Sequence, residues 1–143
     1  MRSCLEQSLP IDQQTSAPLN KISHEISAVN SNHWRFKLSG FVADDMPYLM
    51  RYPHSRKAHY DWHMDMGRAH TASRKLGFTV QLSNSEEYEG GDLEFRKVTI
   101  NTEALSKKGT LALFPAYSLH RVSLVTKGTR DAVVGWVHGP SFR

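Results

Sequence analysis

The feature that most constrains the fold is a succession of short runs with strand periodicity, which no helical segment interrupts. These runs cover roughly 47–52, 58–65, 76–82, 92–96, 98–101, 110–114, 119–125 and 129–137. Strands that follow one another without intervening helices do not form a doubly wound parallel sheet, and they favour a sandwich or barrel. We therefore predict a mainly β protein with a small jelly-roll barrel.

One helix is predicted before these strands. In "SAPLNKISHEISAVN" the apolar residues recur at helical spacing, at Leu19, Ile22, Ile26 and Val29. Ser16 is a candidate cap for this helix. The next segment, "HWRFKLSGF", alternates instead and predicts a strand with Trp34, Phe36 and Leu38 on one side. The polar N-terminus has no continuous apolar run, so we expect a flexible tail over 1–15 and one domain over 16–143.

Charge and cysteine content suggest the setting of the chain. The single cysteine, Cys4, cannot form an internal disulfide, which favours a reducing, cytoplasmic compartment. The formal net charge is +4, but the basic residues lie near an acidic patch and no aromatic residues interleave with them. We therefore do not expect a nucleic-acid partner. A membrane span is not expected either, because the N-terminus lacks a continuous apolar run. The oligomeric state is not indicated by the sequence.

The stretch "AHYDWHMDMG" contains two overlapping His-x-Asp pairs, His59–Asp61 and His63–Asp65. On a regular strand all four side chains project to one face, which suits the presentation of ligands to a cation. A third ligand must come from elsewhere, and His120 lies on a late strand-like run. Two imidazoles and one carboxylate on one side of an ion form the facial triad of non-haem Fe(II) oxygenases.

Arg130 lies ten positions after His120 and opens the last run, "TRDAVVGWV". Its alternation partners Ala132, Val134 and Trp136 are apolar, so the arginine is predicted to face inward. An arginine on an inward face needs an anion. The planar fork of its guanidinium suits a carboxylate held by two parallel hydrogen bonds.

Four motifs now carry a resemblance: "YDWHMD", "RKLGFTVQLSNSEEYEGGDLEF", "KKGTLALFPAYSLHRVSLVTKGTR" and "VVGWVHGPSFR". In this order and spacing they resemble the Fe(II)- and 2-oxoglutarate-dependent oxygenases, and most closely the prolyl-4-hydroxylase-like, PKHD-type branch. The resemblance runs from about Trp34 to Arg143. It implies a double-stranded β-helix with one or two supporting N-terminal helices. It also implies a hydroxylase that converts 2-oxoglutarate and O2 into succinate and CO2, with ascorbate as an optional reductant.

The resemblance also chooses between the overlapping pairs. An aromatic residue three positions before the first ligand and a tryptophan directly before it match His63, not His59. His63, Asp65 and His120 then match the metal ligands and the catalytic centre, while His59 and Asp61 fall outside the pattern.

The cosubstrate pocket is implied in the same way. Arg130 matches the residue that pairs with the far carboxylate of 2-oxoglutarate. Tyr60, Gln81 and Trp136 match positions that line the pocket, although related enzymes often carry tyrosine where this chain has Gln81.

Several alternatives stay open at this point. The substrate is a protein prolyl residue, a free amino acid or a small metabolite, and nucleic-acid demethylation is disfavoured because no second arginine closely follows Arg130. A non-catalytic metal-binding β-barrel for sensing or scaffolding is a second class, and the complete ligand set argues against it. A zinc hydrolase is a third, since two histidines and an aspartate also suit zinc. It leaves Arg130 without a role, however, and no general base is evident.

Overall fold

The structure is a computed structural model that describes residues 3–9 and 13–142. Within these residues there are two helices, α1 (Gln13–Asn32) and α2 (Thr102–Leu105). The strands of the described residues are β1 (Leu5–Ser8), β2 (Tyr48–Pro53), β3 (Tyr60–His63), β4 (Arg74–Gln81), β5 (Tyr88–Gly90), β6 (Leu93–Phe95), β7 (Leu111–Pro115), β8 (His120–Val122) and β9 (Val125–His138). No helix in this part of the chain is long and apolar enough to cross a membrane.

The strands form two antiparallel sheets. The larger sheet has the order β1-β2-β9-β4-β7, and β5 pairs with the first part of β9. The smaller sheet has the order β3-β8-β6. Apolar residues from both sheets pack into one inner cluster, which includes Met50 from β2 and Val122 from β8. The mainly β double-stranded fold with a supporting N-terminal helix is therefore confirmed.

The middle of the larger sheet, at β4 and the C-terminal half of β9, is buried on both faces. On β9 the side chain of Val134 joins the inner cluster between the sheets, whereas Val137 packs outward against α1. Ile26 of α1 is 1% exposed and lies in this outer cluster. Alternating side chains of one strand thus contribute to two clusters, and the last five residues of β9 are all buried.

The N-terminal region, for which a flexible tail stays a prediction, contains one strand. Residues 5–8 pair with β2 in the register Leu5↔Arg51 to Ser8↔Tyr48, and they cover an edge that would otherwise expose its backbone groups. All four residues of β1 are exposed, so no alternation of buried apolar residues predicts this strand from the sequence. The helix begins at Gln13, so Ser16 lies inside it and does not cap it. A domain boundary near residue 16 stays a prediction.

The strand predicted at Trp34, Phe36 and Leu38 is wrong. These side chains do pack into the outer cluster, which accounts for their alternation. At Phe36, however, the backbone bonds to a side chain: Asn30 donates to the carbonyl of Phe36 and accepts from its amide. Among the described residues, the segment bonds to β9 only at Ser39 and Gly40. The predicted run at 98–101 forms only an isolated bridge with Phe95.

Candidate metal centre and anion pocket

Three side chains converge where β3 and β8 lie side by side. His63 ends β3, Asp65 follows two residues later, and His120 begins β8 directly opposite His63. Their potential ligand atoms all lie within 4.8 Å of one another. Nε2 of His63 is 3.4 Å from Oδ1 of Asp65, and Nε2 of His120 is 3.6 Å from the same oxygen. The structure therefore brings together the three residues that the sequence predicted as ligands.

Backbone carbonyls set the tautomer of both histidines. Nδ1 of His63 lies 2.6 Å from the carbonyl oxygen of Asp61, and Nδ1 of His120 lies 2.9 Å from that of Ser118. A carbonyl can only accept a hydrogen bond, so each Nδ1 carries a proton and Nε2 is the ring nitrogen left to bind a cation. Two Nε2 atoms beside one carboxylate are a suitable ligand set for a divalent cation.

The surroundings favour the protonation states that bind a metal. Burial raises the pKa of Asp65, but the hydrogen bond with His63 and the charge interaction with His120 outweigh it and hold the pKa below its usual value. Burial lowers the pKa of His120. Both directions favour a carboxylate beside neutral imidazole, and those are the forms that ligate a cation.

A break in strand alternation separates the two overlapping His-x-Asp pairs in space. The pairing of β3 with β8 shifts register between Tyr60 and His63, so the two rings stack with centroids 3.6 Å apart although they are three residues apart in sequence. The expectation that all four His-x-Asp side chains share one face is therefore wrong. His59 instead contacts the carbonyl of Lys57 through Nδ1, and the side chain of Asp61 is 61% exposed.

An ionic cluster that the sequence did not predict supports Asp65. Nη1 of Arg74 donates to the carbonyl of Asp65 at 3.0 Å, while Nε and Nη2 donate to the carboxylate of Asp45 at 2.8 and 2.9 Å. His138 lies 2.7 Å from the same carboxylate. The guanidinium also lies over the ring of Trp136, 3.7 Å from its centroid. No local pattern in the sequence links Arg74 to an aspartate 29 residues earlier.

Two of the predicted pocket residues line a cavity between the sheets. Tyr60 and Trp136 line it together with the three candidate ligands, and so does Tyr52, which is 2% exposed. The indole N–H of Trp136 is buried and has no hydrogen-bond partner of ordinary geometry among the described residues. It lies close enough to Asp65 to help lower the pKa of that carboxyl.

A second, smaller cavity adjoins the first, and Thr79 and Leu93 line both. Arg130 and Gln81 line only this second cavity, where Arg130 is 4% exposed and donates through Nε to Oε1 of Gln81 at 3.1 Å. The inward orientation predicted for Arg130 is thus what the structure has. Gln81 contacts the arginine rather than the space around the metal ligands.

Comparison with known proteins places this geometry in a family. The family profile described as the 2OG-Fe(II) oxygenase superfamily matches residues 48–138. The chain belongs to this superfamily. The superfamily is named after its metal, Fe(II), and its cosubstrate, 2-oxoglutarate. The matched range contains the three candidate ligands and Arg130.

Relatives point to the same branch as the sequence motifs. A PKHD-type hydroxylase of Synechococcus sp. (strain CC9311) is 38% identical over 78 residues, which are 54% of this chain and 36% of the relative. A PKHD-type hydroxylase of Prochlorococcus marinus (strain SARG) is 27% identical over 136 residues, 94% of this chain and 60% of the relative. The chain thus spans about a third to three fifths of the length of these relatives.

A solved structure supports the fold. The crystal structure of a Pseudomonas putida prolyl-4-hydroxylase matches with a TM-score of 0.72 at 18% identity, covering 96% of this chain and 73% of that one. At this identity the likeness establishes the double-stranded β-helix and nothing finer.

Proposed function

We propose that the protein is an Fe(II)- and 2-oxoglutarate-dependent hydroxylase. In this proposal His63, Asp65 and His120 hold the iron, and Arg130 holds the far carboxylate of 2-oxoglutarate. The observation that carries it is the convergence of the three ligand atoms within 4.8 Å of one another, with a buried arginine in the adjoining cavity. Three protein ligands leave coordination positions free for the cosubstrate.

When bound, the iron supplies the oxidation chemistry that turns 2-oxoglutarate and O2 into succinate and CO2 and adds hydroxyl to a substrate C–H bond. The protein contributes orientation and shielding. The carbonyls of Asp61 and Ser118 fix the two imidazole rings, and Arg74 fixes the peptide of Asp65. Apolar side chains of the inner cluster, such as Val134, keep water away from the cavity.

We further propose that the substrate is a prolyl residue in a peptide or protein. The support is the branch: the relatives are PKHD-type hydroxylases, and the solved neighbour is a prolyl-4-hydroxylase. A free amino acid or small metabolite is the competing substrate. A cytoplasmic location and stimulation by ascorbate stay predictions. A non-catalytic metal-binding barrel is less well supported, because both the three candidate ligands and a buried arginine in the adjoining cavity are present.

The test is succinate formation by the purified protein with Fe(II), 2-oxoglutarate and O2, in the presence of proline-containing peptides, free amino acids or small metabolites. Mass spectrometry then identifies which candidate gains one oxygen atom. We expect His63→Ala and Asp65→Ala to lose iron-dependent succinate formation. His59→Ala is the matched control, since its side chain lies outside the ligand cluster, and it should retain activity. Full turnover in His63→Ala would overturn the ligand assignment.

A further inference from the structure

Tyr88 of β5 lies beside Arg130 although no motif singled it out. It pairs with Gly128 of β9, two residues before Arg130, so both side chains project to the inner face. The tyrosine is 8% exposed and lines the second cavity with the arginine. Resting on the proposed function, we propose that the Tyr88 hydroxyl donates to the far carboxylate of 2-oxoglutarate beside Arg130, and that Gln81 positions both donors.

The contacts of Gln81 determine which way its amide points. Nε of Arg130 only donates hydrogen bonds, so the amide atom 3.1 Å from it must be the oxygen. The amide nitrogen then faces Tyr88 and Ser83, and it donates to the Tyr88 hydroxyl at 2.7 Å and to the Ser83 carbonyl at 3.3 Å. Both hydrogens and the oxygen of Gln81 are thereby used within the protein.

This orientation leaves the hydrogen of Tyr88 available. The hydroxyl oxygen accepts from Gln81, so its own O–H points to another acceptor, and none is found among the described residues. Nη1 and Nη2 of Arg130 likewise have no hydrogen bond within this part of the chain. Asp92 also lines the cavity, but its side chain is not hydrogen-bonded to Tyr88. Tyr88 and Arg130 line one small cavity, and their unused donors are of the kind that binds a single carboxylate.

Gly91 allows the two side chains to lie together. Its φ is +62°, a conformation that favours glycine, and an added Cβ would lie 2.9 Å from Cγ2 of Val125 and 3.3 Å from Cδ of Arg130. The ring of Tyr88 is within contact distance of the same point. The turn between β5 and β6 therefore gives Arg130 and Tyr88 room at one end of the cavity.

The test compares two ligands that differ only at the far end. We would measure the affinity of the anaerobic Fe(II)-loaded protein by calorimetry for 2-oxoglutarate and for 2-oxopentanoate, in which a methyl group replaces the far carboxylate. Tyr88→Phe should weaken 2-oxoglutarate binding about 10-fold or more, because it removes a hydrogen bond to a charged group. It should leave the affinity for 2-oxopentanoate unchanged. Gln81→Leu should follow the same pattern.

Tyr117→Phe makes the same chemical change at an exposed tyrosine outside both cavities, and it should bind both ligands like the wild type. If Tyr88→Phe weakens both ligands equally, its role is only structural and the proposal is overturned. If Tyr88→Phe binds 2-oxoglutarate like the wild type, the donor is misassigned while the proposed function stands. If the wild type binds no 2-oxoglutarate, the proposed function itself fails.

Discussion

Replacing Gly77 by alanine should weaken metal binding, because the added methyl group would contact the carboxylate of Asp65. Gly77 lies on β4, and an added Cβ would lie 2.8 Å from Oδ2 of Asp65 and 2.8 Å from Cε2 of Phe114. The shortest ordinary contact is 3.4 Å, so the carboxylate must move by about 0.6 Å, the difference between 3.4 and 2.8 Å. Metal–ligand distances tolerate only about 0.2 Å, so we expect the affinity for metal to fall about 10- to 100-fold.

Gly135→Ala is the matched control, because it crowds the other face of the same sheet. Its added Cβ would lie 2.7 Å from Cζ of Phe78 and 2.9 Å from Cγ of Pro47, away from the ligands. Both glycines have ordinary backbone conformations, so neither substitution adds φ strain. Each should lower the free energy of unfolding by about 1–3 kcal/mol through overpacking. At this chain length that is about 3–4 °C in Tm per kcal/mol.

The two variants should therefore differ in metal affinity and agree in their loss of stability. Thermal unfolding of the metal-free proteins should show similar losses for both, and titration with Co(II), followed by visible absorption, should show weaker binding only for Gly77→Ala. Unchanged Co(II) affinity in Gly77→Ala would refute the reasoning. So would an equal loss in Gly135→Ala, because the effect would then be a general consequence of destabilisation.

Three further substitutions test the electrostatics. Arg130→Met should raise the 2-oxoglutarate concentration for half-maximal succinate formation by about 100-fold, since an ionic hydrogen-bonded pair is lost; an unchanged requirement would count against the pairing. Asp92→Asn should tighten 2-oxoglutarate binding several-fold in calorimetry, because it removes a negative charge that interacts with Arg130, and equal or weaker binding would contradict this. Burial raises the pKa of Asp45, but hydrogen bonds from Arg74 and His138 bring it below its ordinary value. The ion pair of Asp45 therefore stabilises the fold above about pH 4, and this stabilisation is lost as pH falls through the lower folded pKa. The difference in unfolding free energy between the wild type and Asp45→Asn, measured in a series of decreasing pH, should narrow; a widening difference would contradict this.

Patterns that depend on nearest neighbours along the chain predicted much of the fold. The alternation at Ala132, Val134 and Trp136 predicted the inner face of β9, and therefore the inward orientation of Arg130. The 3.6-residue period at Ile22 and Ile26 predicted the buried face of α1. In each case one buried face imposes one period, so the sequence carries the signal directly.

Features that depend on distant partners left no such signal. The register shift between Tyr60 and His63 exists only in the pairing of β3 with β8, so strict alternation misplaced His59 and Asp61. Likewise, β1 is exposed throughout and is held by backbone pairing alone. Polar contacts between side chains far apart in the sequence, such as Arg74 with Asp45, were equally unpredictable, because neither residue type indicates its partner.

The two ends of the proposed cosubstrate site belong to different parts of the barrel. His63 and His120 pair across the smaller sheet, whereas Arg130 lies on β9 of the larger sheet. The spacing between the metal end and the guanidinium end therefore depends on how the sheets pack, with Thr79 and Leu93 lining the cavities at both ends. Sheet packing keeps this spacing constant, since close-packed interiors resist deformation. In the proposed function, selection of a diacid of one length then depends on the packing of the whole inner cluster, which sets the distance between the residues proposed to bind its two ends.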